Sequence, residues 1–287
     1  MTGSGVRGAL VVAVSLALSA CSATTVLNIA SAPGAAERQK DVAYGPLPRQ
    51  TYDLYRADDA NAPIVVFVHG GSWEEGSKDL YPFVGRELAS QGFTAAIVNY
   101  RLGPETRFPG FVEDAARAVD TIRRDVADGR RVVLLGHSAG AHIGALLAYD
   151  PRYLRAVGTS PCAALAGFVG LAGPYDFLPL QREATKAIFP PATRAESQPI
   201  NFADGPAPAS LLVHGLDDET VEPEDSRVMA EALRAAGQTA ETLFLDGVDH
   251  IEIVGAYGPL LSRLAPVREP VAAFIRRVAA VDGGTCR

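Results

Sequence analysis

Residues Arg131 to Tyr149 read RVVLLGHSAGAHIGALLAY, and this stretch decides the fold. It begins as an apolar run of strand length, continues without a spacer into Gly136-His137-Ser138-Ala139-Gly140, and ends as an apolar segment with small residues. The pattern predicts a buried strand, a sharp turn and a helix. A G-x-S-x-G motif in this context is typical of a nucleophile elbow, whose strained turn exposes the serine hydroxyl at the carboxyl edge of a sheet. A chance Gly-Ser turn is the alternative.

The composition excludes several other classes of protein. The chain has 287 residues, of which 48% are hydrophobic and 21% charged, as expected for one sizeable globular domain. Its net charge is −7, and no basic run or basic-aromatic stripe is present, so we expect no nucleic-acid partner. The three cysteines form no C-x-x-C pair and no Cys/His cluster with zinc spacing, so we predict no metal site.

The N-terminal segment has the features of a targeting signal. Arg7 precedes an apolar region, Ala9 to Ala20, that is shorter than the ~20 residues a membrane-spanning helix needs. The sequence Leu18-Ser19-Ala20-Cys21 resembles the bacterial lipobox. This resemblance implies that residues 1–21 are a lipoprotein signal peptide and that Cys21 carries the lipid that anchors the protein to a membrane. A plain secretory signal is the alternative.

A lipid anchor at Cys21 implies a position in the bacterial cell envelope, with the domain outside the cytoplasm. Residues 22–39, rich in small and polar side chains, are predicted to be a flexible tether. In an oxidising compartment we expect Cys162 and Cys286 to form a disulfide, with two unpaired thiols as the alternative.

A second buried strand, Ile64 to Val68, leads directly into His69-Gly70-Gly71-Ser72-Trp73. HGG-x-W followed by G-x-S-x-G resembles the α/β-hydrolase superfamily, and within it the esterase and arylformamidase group (BD-FAE-like, kynurenine-formamidase-like). The resemblance implies an oxyanion hole formed by the backbone N–H groups of Gly71 and Ser72, with Ala139 N–H as a further donor. Such preorganised donors each stabilise a developing oxyanion by about 3 kcal/mol. The alternative is that Gly70 and Gly71 belong to an ordinary loop with no catalytic role. Under either interpretation we expect Trp73 to be a packed structural residue.

The acid and the base of a catalytic triad have candidates further along the chain. The strand Ala209 to Val213 delivers HGLDDETV, and the superfamily pattern HG-x-x-D-x-x-V identifies Asp218 as the acid, with Asp217 as the runner-up. His250 is the only histidine after Asp218, and the order Ser138, Asp218, His250 matches the superfamily. The four other histidines are expected to brace the loops (His69, His214), to point away from the nucleophile (His137) or to pack (His142).

The predicted architecture is an α/β-hydrolase fold: a mostly parallel, doubly wound sheet with helices on both faces and a small cap insertion. We predict a hydrolase domain over residues 40–282, a cap-like insertion at about 174–205 and a loose tail at 283–287. Residues 50–55 alternate like an edge strand. Arg101, Glu113 and Asp114 are expected to be solvated or helix-capping positions.

The resemblance implies a serine hydrolase of small carboxylic esters (EC 3.1.1, carboxylesterase-like) that needs no cofactor. Two alternatives remain: an arylformamidase that cleaves an N-formyl aromatic amine, and a catalytically inactive hydrolase scaffold used for binding. A position outside the cytoplasm fits the formamidase poorly, and intact candidates for all three triad positions disfavour the inactive scaffold.

Overall fold

The computed structural model describes residues 37–259, 261–263, 265–281 and 286. The predicted signal peptide, Cys21, the tether up to residue 36 and most of the predicted tail lie outside the described residues. Within the described ranges, no helix is long and apolar enough to cross a membrane.

Eight strands form one sheet in the order β1-β2-β4-β3-β5-β6-β7-β8. The pairs β1–β2 and β2–β4 are antiparallel, and all later pairs are parallel. The strands are β1 (Arg38–Ala43), β2 (Thr51–Tyr55), β3 (Ile64–Val68), β4 (Thr94–Val98), β5 (Val132–His137), β6 (Leu165–Leu171), β7 (Ser210–Gly215) and β8 (Ala240–Leu245).

Helices cover both faces of the sheet, as a parallel sheet requires. Side chains of β3 alternate between two cores, Val66 facing one and Phe67 the other. The α-helices are α1 (Pro82–Ser90), α2 (Gly110–Asp125), α3 (Ala139–Tyr149), α4 (Pro151–Ala156), α5 (Pro161–Ala164), α6 (Glu183–Ile188), α7 (Pro223–Ala235), α8 (Glu252–Gly255) and α9 (Arg268–Ala279). The first core holds side chains of α2, α3 and α7, and the second holds side chains of α1 and α9. The predicted α/β-hydrolase fold is confirmed.

The sequence does not predict β1. Its residues RQKDVA are exposed or half-buried, so they carry no apolar pattern, and the strand begins at Arg38, inside the segment expected to be tether. Because β1 pairs with β2, the expectation that residues 50–55 form an edge strand is wrong: β2 lies between β1 and β4. Its last four residues are buried accordingly.

The expectation that Arg101 and Asp114 are solvated or capping positions is also wrong. Asp114 in α2 is 1% exposed, and Arg101 Nε lies 2.8 Å from its Oδ2. Gln50 donates to the other carboxylate oxygen over 2.8 Å. The contact between α2 and the turn after β4 buries the Asp114 carboxylate. The position of Asp114 in the apolar pattern of α2 does not indicate this contact, because the partner belongs to another element.

Residues 174–205 form a cap between β6 and β7. It contains α6 and three 3₁₀ turns, Pro191–Thr193, Ala195–Ser197 and Pro199–Phe202. Internal bonds hold it together: Phe177 N–H donates to Gln198 Oε1 over 2.8 Å, and Ile200 N–H donates to Tyr175 O over 3.1 Å. These bonds hold residues 174–205 together as one folded segment.

A disulfide joins Cys162 of α5 to Cys286. The two Cα atoms are 5.7 Å apart, and the bond closes a loop between residues separated by 124 positions. It ties the C-terminal end of the chain to the segment that precedes β6.

Candidate active site

Four strands of the parallel part of the sheet deliver the predicted site residues to one edge. Gly71 and Ser72 follow β3, Ser138 follows β5, Asp218 follows β7 and His250 follows β8. The carboxyl ends of parallel strands meet at the same edge, so these loops converge although they are far apart in sequence.

Ser138 lies on a sharp strand-to-helix turn with φ 54° and ψ −122°. A Cβ at Gly136 would lie 2.3 Å from Gly140 O, and one at Gly140 would lie 2.1 Å from Val68 O. Both glycines are therefore required for the turn to pass between its neighbours. Ser138 N–H donates to Leu171 O over 2.9 Å, which fixes the turn against β6.

Asp218 and His250 form a buried hydrogen-bonded pair. His250 Nδ1 donates to Asp218 Oδ2 over 2.7 Å, while Asp218 Oδ1 accepts from the N–H groups of Thr220 and Val221 over 2.8 and 2.9 Å. Because Nδ1 carries the proton, Nε2 of His250 has a lone pair and can accept one. The neighbouring Asp217, the runner-up acid, is exposed.

Asp218 is held in its ionised form. Burial would raise the pKa of Asp218, but hydrogen bonds from His214, His250 and Val221 N–H outweigh burial and keep that pKa below its usual range. His214 Nε2 lies 3.2 Å from Asp218 Oδ2, and its Nδ1 lies 2.7 Å from Ser226 Oγ. His214 thus makes the bracing contact expected of it.

His137 brings the elbow and the His250 loop together. Its Nε2 donates to the main-chain oxygen of His250 over 2.9 Å, and the two imidazole rings are 4.9 Å apart. Burial and the nearby His250 lower the pKa of His137 to about 3, so the ring is neutral. Sequence reasoning assigned no role to His137, because the motif fixes its position but not the loop that it contacts.

The predicted oxyanion loop, residues 69–76, runs against the elbow. Gly71, Ser72 and Trp73 all have positive φ, at 123°, 52° and 62°. A Cβ at Gly70 would lie 3.0 Å from Ser138 Cβ, so the loop passes directly beside the candidate nucleophile. Gly71 also cannot carry a side chain, since its Cβ would meet Glu75 O at 2.2 Å.

Buried polar contacts support the loop from the sheet side. The His69 ring stacks on Tyr100 with centroids 4.4 Å apart, and Tyr100 Oη donates to His69 O over 3.0 Å. Arg49 Nη2 donates to Gly76 O over 2.9 Å at the other end of the loop. Burial lowers the pKa of His69 to about 4, so this brace is uncharged.

Aromatic side chains join the loop to the cap. Trp73 stacks on Phe177 at 5.5 Å and meets Phe189 edge to face at 4.8 Å. The His142 ring lies 5.1 Å from Trp73 and hydrogen-bonds to it. His142 was expected only to pack, because its partners belong to a loop and a cap that helical spacing cannot place.

Two large apolar side chains that are close in sequence to Asp218 and His250 are exposed. Leu216, two positions before Asp218, is 40% exposed, and Ile251, which follows His250, is 51% exposed. In the described part of the chain, no group of three or more His, Cys, Asp or Glu side chains could hold a metal ion. The loops at this edge carry the hydroxyl of Ser138, the imidazole of His250 and the carboxylate of Asp218.

A family model described as BD-FAE matches residues 52–233. Among curated proteins, the chain is 28% identical over 242 residues to the "Probable isoprenylcysteine alpha-carbonyl methylesterase ICMEL2" of Arabidopsis thaliana, covering 75% of this chain and 57% of that protein. It is 29% identical over 269 residues to "Esterase LipC" of Mycobacterium tuberculosis, covering 84% of this chain and 65% of that protein. The chain thus spans less than two thirds of the length of these relatives.

Solved esterase structures have the same fold. Esterase B from Lactobacillus rhamnosis, inhibited by a tributyrin phosphonate, superposes with a TM-score of 0.78 at 19% identity, covering 96% of this chain and 97% of that one. A truncated carbohydrate esterase from gut microbiota gives a TM-score of 0.75 at 18% identity, covering 87% of this chain and 99% of the other.

Proposed function

Because this chain belongs to the BD-FAE family, we propose that it is a serine hydrolase of carboxylic esters. Ser138 is the nucleophile, His250 the base and Asp218 the acid. The observation that carries the proposal is the contact between the elbow and the acid–base pair: His137, which precedes Ser138, bonds to the backbone of His250, whose Nδ1 bonds to Asp218.

Acylation begins when Ser138 Oγ attacks the ester carbonyl carbon. His250 Nε2 takes the hydroxyl proton, and Asp218 stabilises the imidazolium that forms. The carbonyl oxygen becomes an oxyanion, which accepts hydrogen bonds from the N–H groups of Gly71, Ser72 and Ala139. His250 then gives its proton to the leaving alkoxide, which departs as an alcohol while the acyl group stays on Ser138.

Deacylation repeats the sequence with water. His250 removes a proton from a water molecule, the resulting hydroxide attacks the acyl carbon, and the same N–H groups hold the second oxyanion. When the tetrahedral intermediate collapses, the C–O bond to Ser138 breaks and His250 returns the proton to Ser138 Oγ. The products are a carboxylic acid, an alcohol and the free enzyme.

The surroundings of the triad favour an apolar substrate. Leu216 lies two positions before Asp218 and Ile251 directly follows His250, and both side chains are exposed. We propose that they offer apolar contact to a bound ester. Several relatives and structural neighbours are named as esterases or methylesterases, which supports esters as the substrate class.

The experiment compares hydrolysis of p-nitrophenyl acetate, butyrate and octanoate with cleavage of N-formylkynurenine by the purified full chain. Ser138→Ala is the control, and a fluorophosphonate probe reports whether Ser138 is reactive. Ester turnover that Ser138→Ala abolishes is expected. The apolar side chains beside the triad predict a higher kcat/KM for butyrate than for acetate.

The other outcomes separate the alternatives. A kcat/KM for N-formylkynurenine well above that for every ester replaces the esterase with an arylformamidase that uses the same residues. A folded protein in which Ser138 is not labelled and no substrate turns over indicates an inactive scaffold. Labelling without turnover indicates a working triad with a different acyl specificity.

We also propose that the protein is a lipoprotein of the cell envelope, anchored through Cys21. The disulfide between Cys162 and Cys286 supports an oxidising compartment. Metabolic labelling with a radiolabelled fatty acid tests the anchor. Label on the wild type but not on Cys21→Ala is expected, and an unlabelled wild-type protein in the soluble fraction contradicts the proposal.

A further inference from the structure

One imidazole connects three separate parts of the site. Trp73 Nε1 donates to His142 Nδ1 over 3.0 Å, and His142 Nε2 lies 2.7 Å from Ser197 O. Since Nδ1 accepts and Ser197 O can only accept, the proton of the neutral ring is on Nε2, and both ring nitrogens are used. His142 and Ser197 are fully buried, and Trp73 is 6% exposed.

The three residues belong to elements that the proposed mechanism uses. His142 lies in the first turn of α3, where its N–H donates to Ser138 O over 3.1 Å. Trp73 directly follows Ser72 of the oxyanion loop, and Ser197 lies in the cap. The contact therefore runs from the nucleophile helix to the oxyanion loop on one side and to the cap on the other.

The oxyanion loop needs such a contact because its backbone is strained. Ser72 and Trp73 adopt left-handed conformations with φ 52° and 62°, which cost roughly 1–2 kcal/mol each for residues with a side chain. Such conformations persist only where the surroundings over-determine them. Gly103 N–H donates to Trp73 O over 2.8 Å and holds the backbone, while the bond to His142 holds the indole.

Packing alone does not fix the indole in this way. Phe177 and Phe189 contact its ring, but aromatic contacts tolerate sliding, whereas the N–H···N bond specifies one position along the ring plane. Both aromatic partners belong to the cap, which His142 also anchors through Ser197 O. Removing the His142 imidazole would therefore break its bond to the Trp73 indole and its bond to Ser197 of the cap at the same time.

We propose that His142 is a positioning residue for catalysis: through Trp73 it holds the Gly71 and Ser72 N–H groups in place for the oxyanion, and through Ser197 it joins that loop to the cap. This role rests on the proposed esterase function. A displacement of about 1 Å in a catalytic group can cost about 100-fold in rate, so the effect appears in kcat. The ground-state ester relies less on these donors, so KM changes little.

The test measures kcat and KM with p-nitrophenyl butyrate on the full chain, with active sites counted by fluorophosphonate titration. Trp73→Phe removes the indole N–H together with the five-membered ring, and it keeps one aromatic ring for the contacts with Phe177 and Phe189. His142→Leu removes both bonds, whereas His142→Gln retains one acceptor and one donor at the end of its side chain. Counting labelled sites restricts the comparison to molecules with a folded elbow.

Trp73→Phe and His142→Leu are expected to lower kcat by about 10- to 100-fold with KM within about threefold, and His142→Gln to recover most of the loss. The double variant Trp73→Phe/His142→Leu should be no slower than the worse single variant, because both changes remove the same bond. Wild-type kcat per labelled site in both single variants overturns the proposal, as does a double variant whose losses multiply. If the wild type shows no Ser138-dependent turnover, the esterase function fails and this role with it.

Discussion

His137 donates from Nε2 to the main-chain carbonyl of His250 over 2.9 Å, so the residue before Ser138, the proposed nucleophile, holds the loop that carries His250, the proposed base. The bond connects the end of β5 to the segment after β8, across two intervening strands. The distance between Ser138 and His250 is therefore set by this side-chain bond as well as by the order of the strands in the sheet.

Replacing His137 with Leu should therefore lower kcat without removing Ser138 reactivity. The variant loses the bond to His250 O and places an apolar side chain of similar volume in the same buried position, and we expect kcat to fall about tenfold. Steady-state kinetics with p-nitrophenyl butyrate measure the effect, and fluorophosphonate labelling counts active sites. An unchanged kcat per labelled site would show that the sheet alone positions His250.

Asp218 and Asp217 make a matched pair for testing the acid. Asp218→Asn removes the charge that stabilises the imidazolium and disturbs the tautomer of His250, so kcat should fall by about 10³- to 10⁴-fold. Asp217→Asn changes an exposed neighbour with no bond to His250 among the contacts described, and its kcat should stay within about twofold of the wild type. A large loss in Asp217→Asn with a small loss in Asp218→Asn would reassign the acid.

The buried neutral histidines make stability fall as the pH falls below about 6.5. Burial lowers the pKa of His142 from 6.5 to about 4, so between these values the unfolded chain binds a proton that the native protein does not. Each such group contributes a slope of about 1.4 kcal/mol per pH unit. His69 and His137, with pKa values lowered to about 4 and about 3, act in the same direction.

The variant His142→Gln isolates one of these slopes. Urea unfolding at several pH values between 6.5 and 4.5 should give a free energy of unfolding that falls less steeply in His142→Gln, by about 1.4 kcal/mol per pH unit. The carboxylates are the same in both proteins and cancel in the comparison. Parallel slopes would mean that His142 is protonated in the native state or remains neutral in the unfolded state.

The bond between Cys162 and Cys286 should contribute measurably to stability. It closes a loop between residues separated by 124 positions, for which the chain-entropy model gives about 5 kcal/mol. Cys162→Ser should lower the free energy of unfolding by about 2–5 kcal/mol in urea titrations. Adding a reductant should lower the wild type to the same value and leave the variant unchanged; a wild-type curve insensitive to full reduction contradicts this contribution.

Some features could be predicted because the residues that determine them are adjacent in the sequence. The strand and helix around Ser138 are continuous apolar runs, and the elbow between them needs glycine at both ends, so the sequence indicates strand, turn and helix together. The fold class and the family followed from this stretch and the HGG loop, and both predictions are confirmed. The catalytic roles of Ser138, Asp218 and His250 remain predictions that the geometry supports.

Other features depend on contacts between distant segments. β1 is polar and lies at the sheet edge, so no apolar periodicity indicates it. From the sequence alone Asp114 is interpreted as a surface residue of a helix, because the residues that bond to its carboxylate, Arg101 and Gln50, belong to other segments. The partners of His142 are a tryptophan 69 positions before it and a carbonyl 55 positions after it, and no local pattern encodes such a bridge.

The positions of Ser138 and His250 relative to the sheet predict how the protein loses activity on heating. Ser138 follows β5, which pairs with strands on both sides, whereas His250 follows β8 at the sheet edge. Edge elements open locally at lower free energy than central strands. The loop that carries His250 should therefore move away from Ser138 at a lower temperature than the one at which the central strands unfold. Thermal inactivation should then precede the loss of secondary structure. Within that interval the protein keeps its fold but is not an enzyme, and cooling should restore activity without refolding of the core.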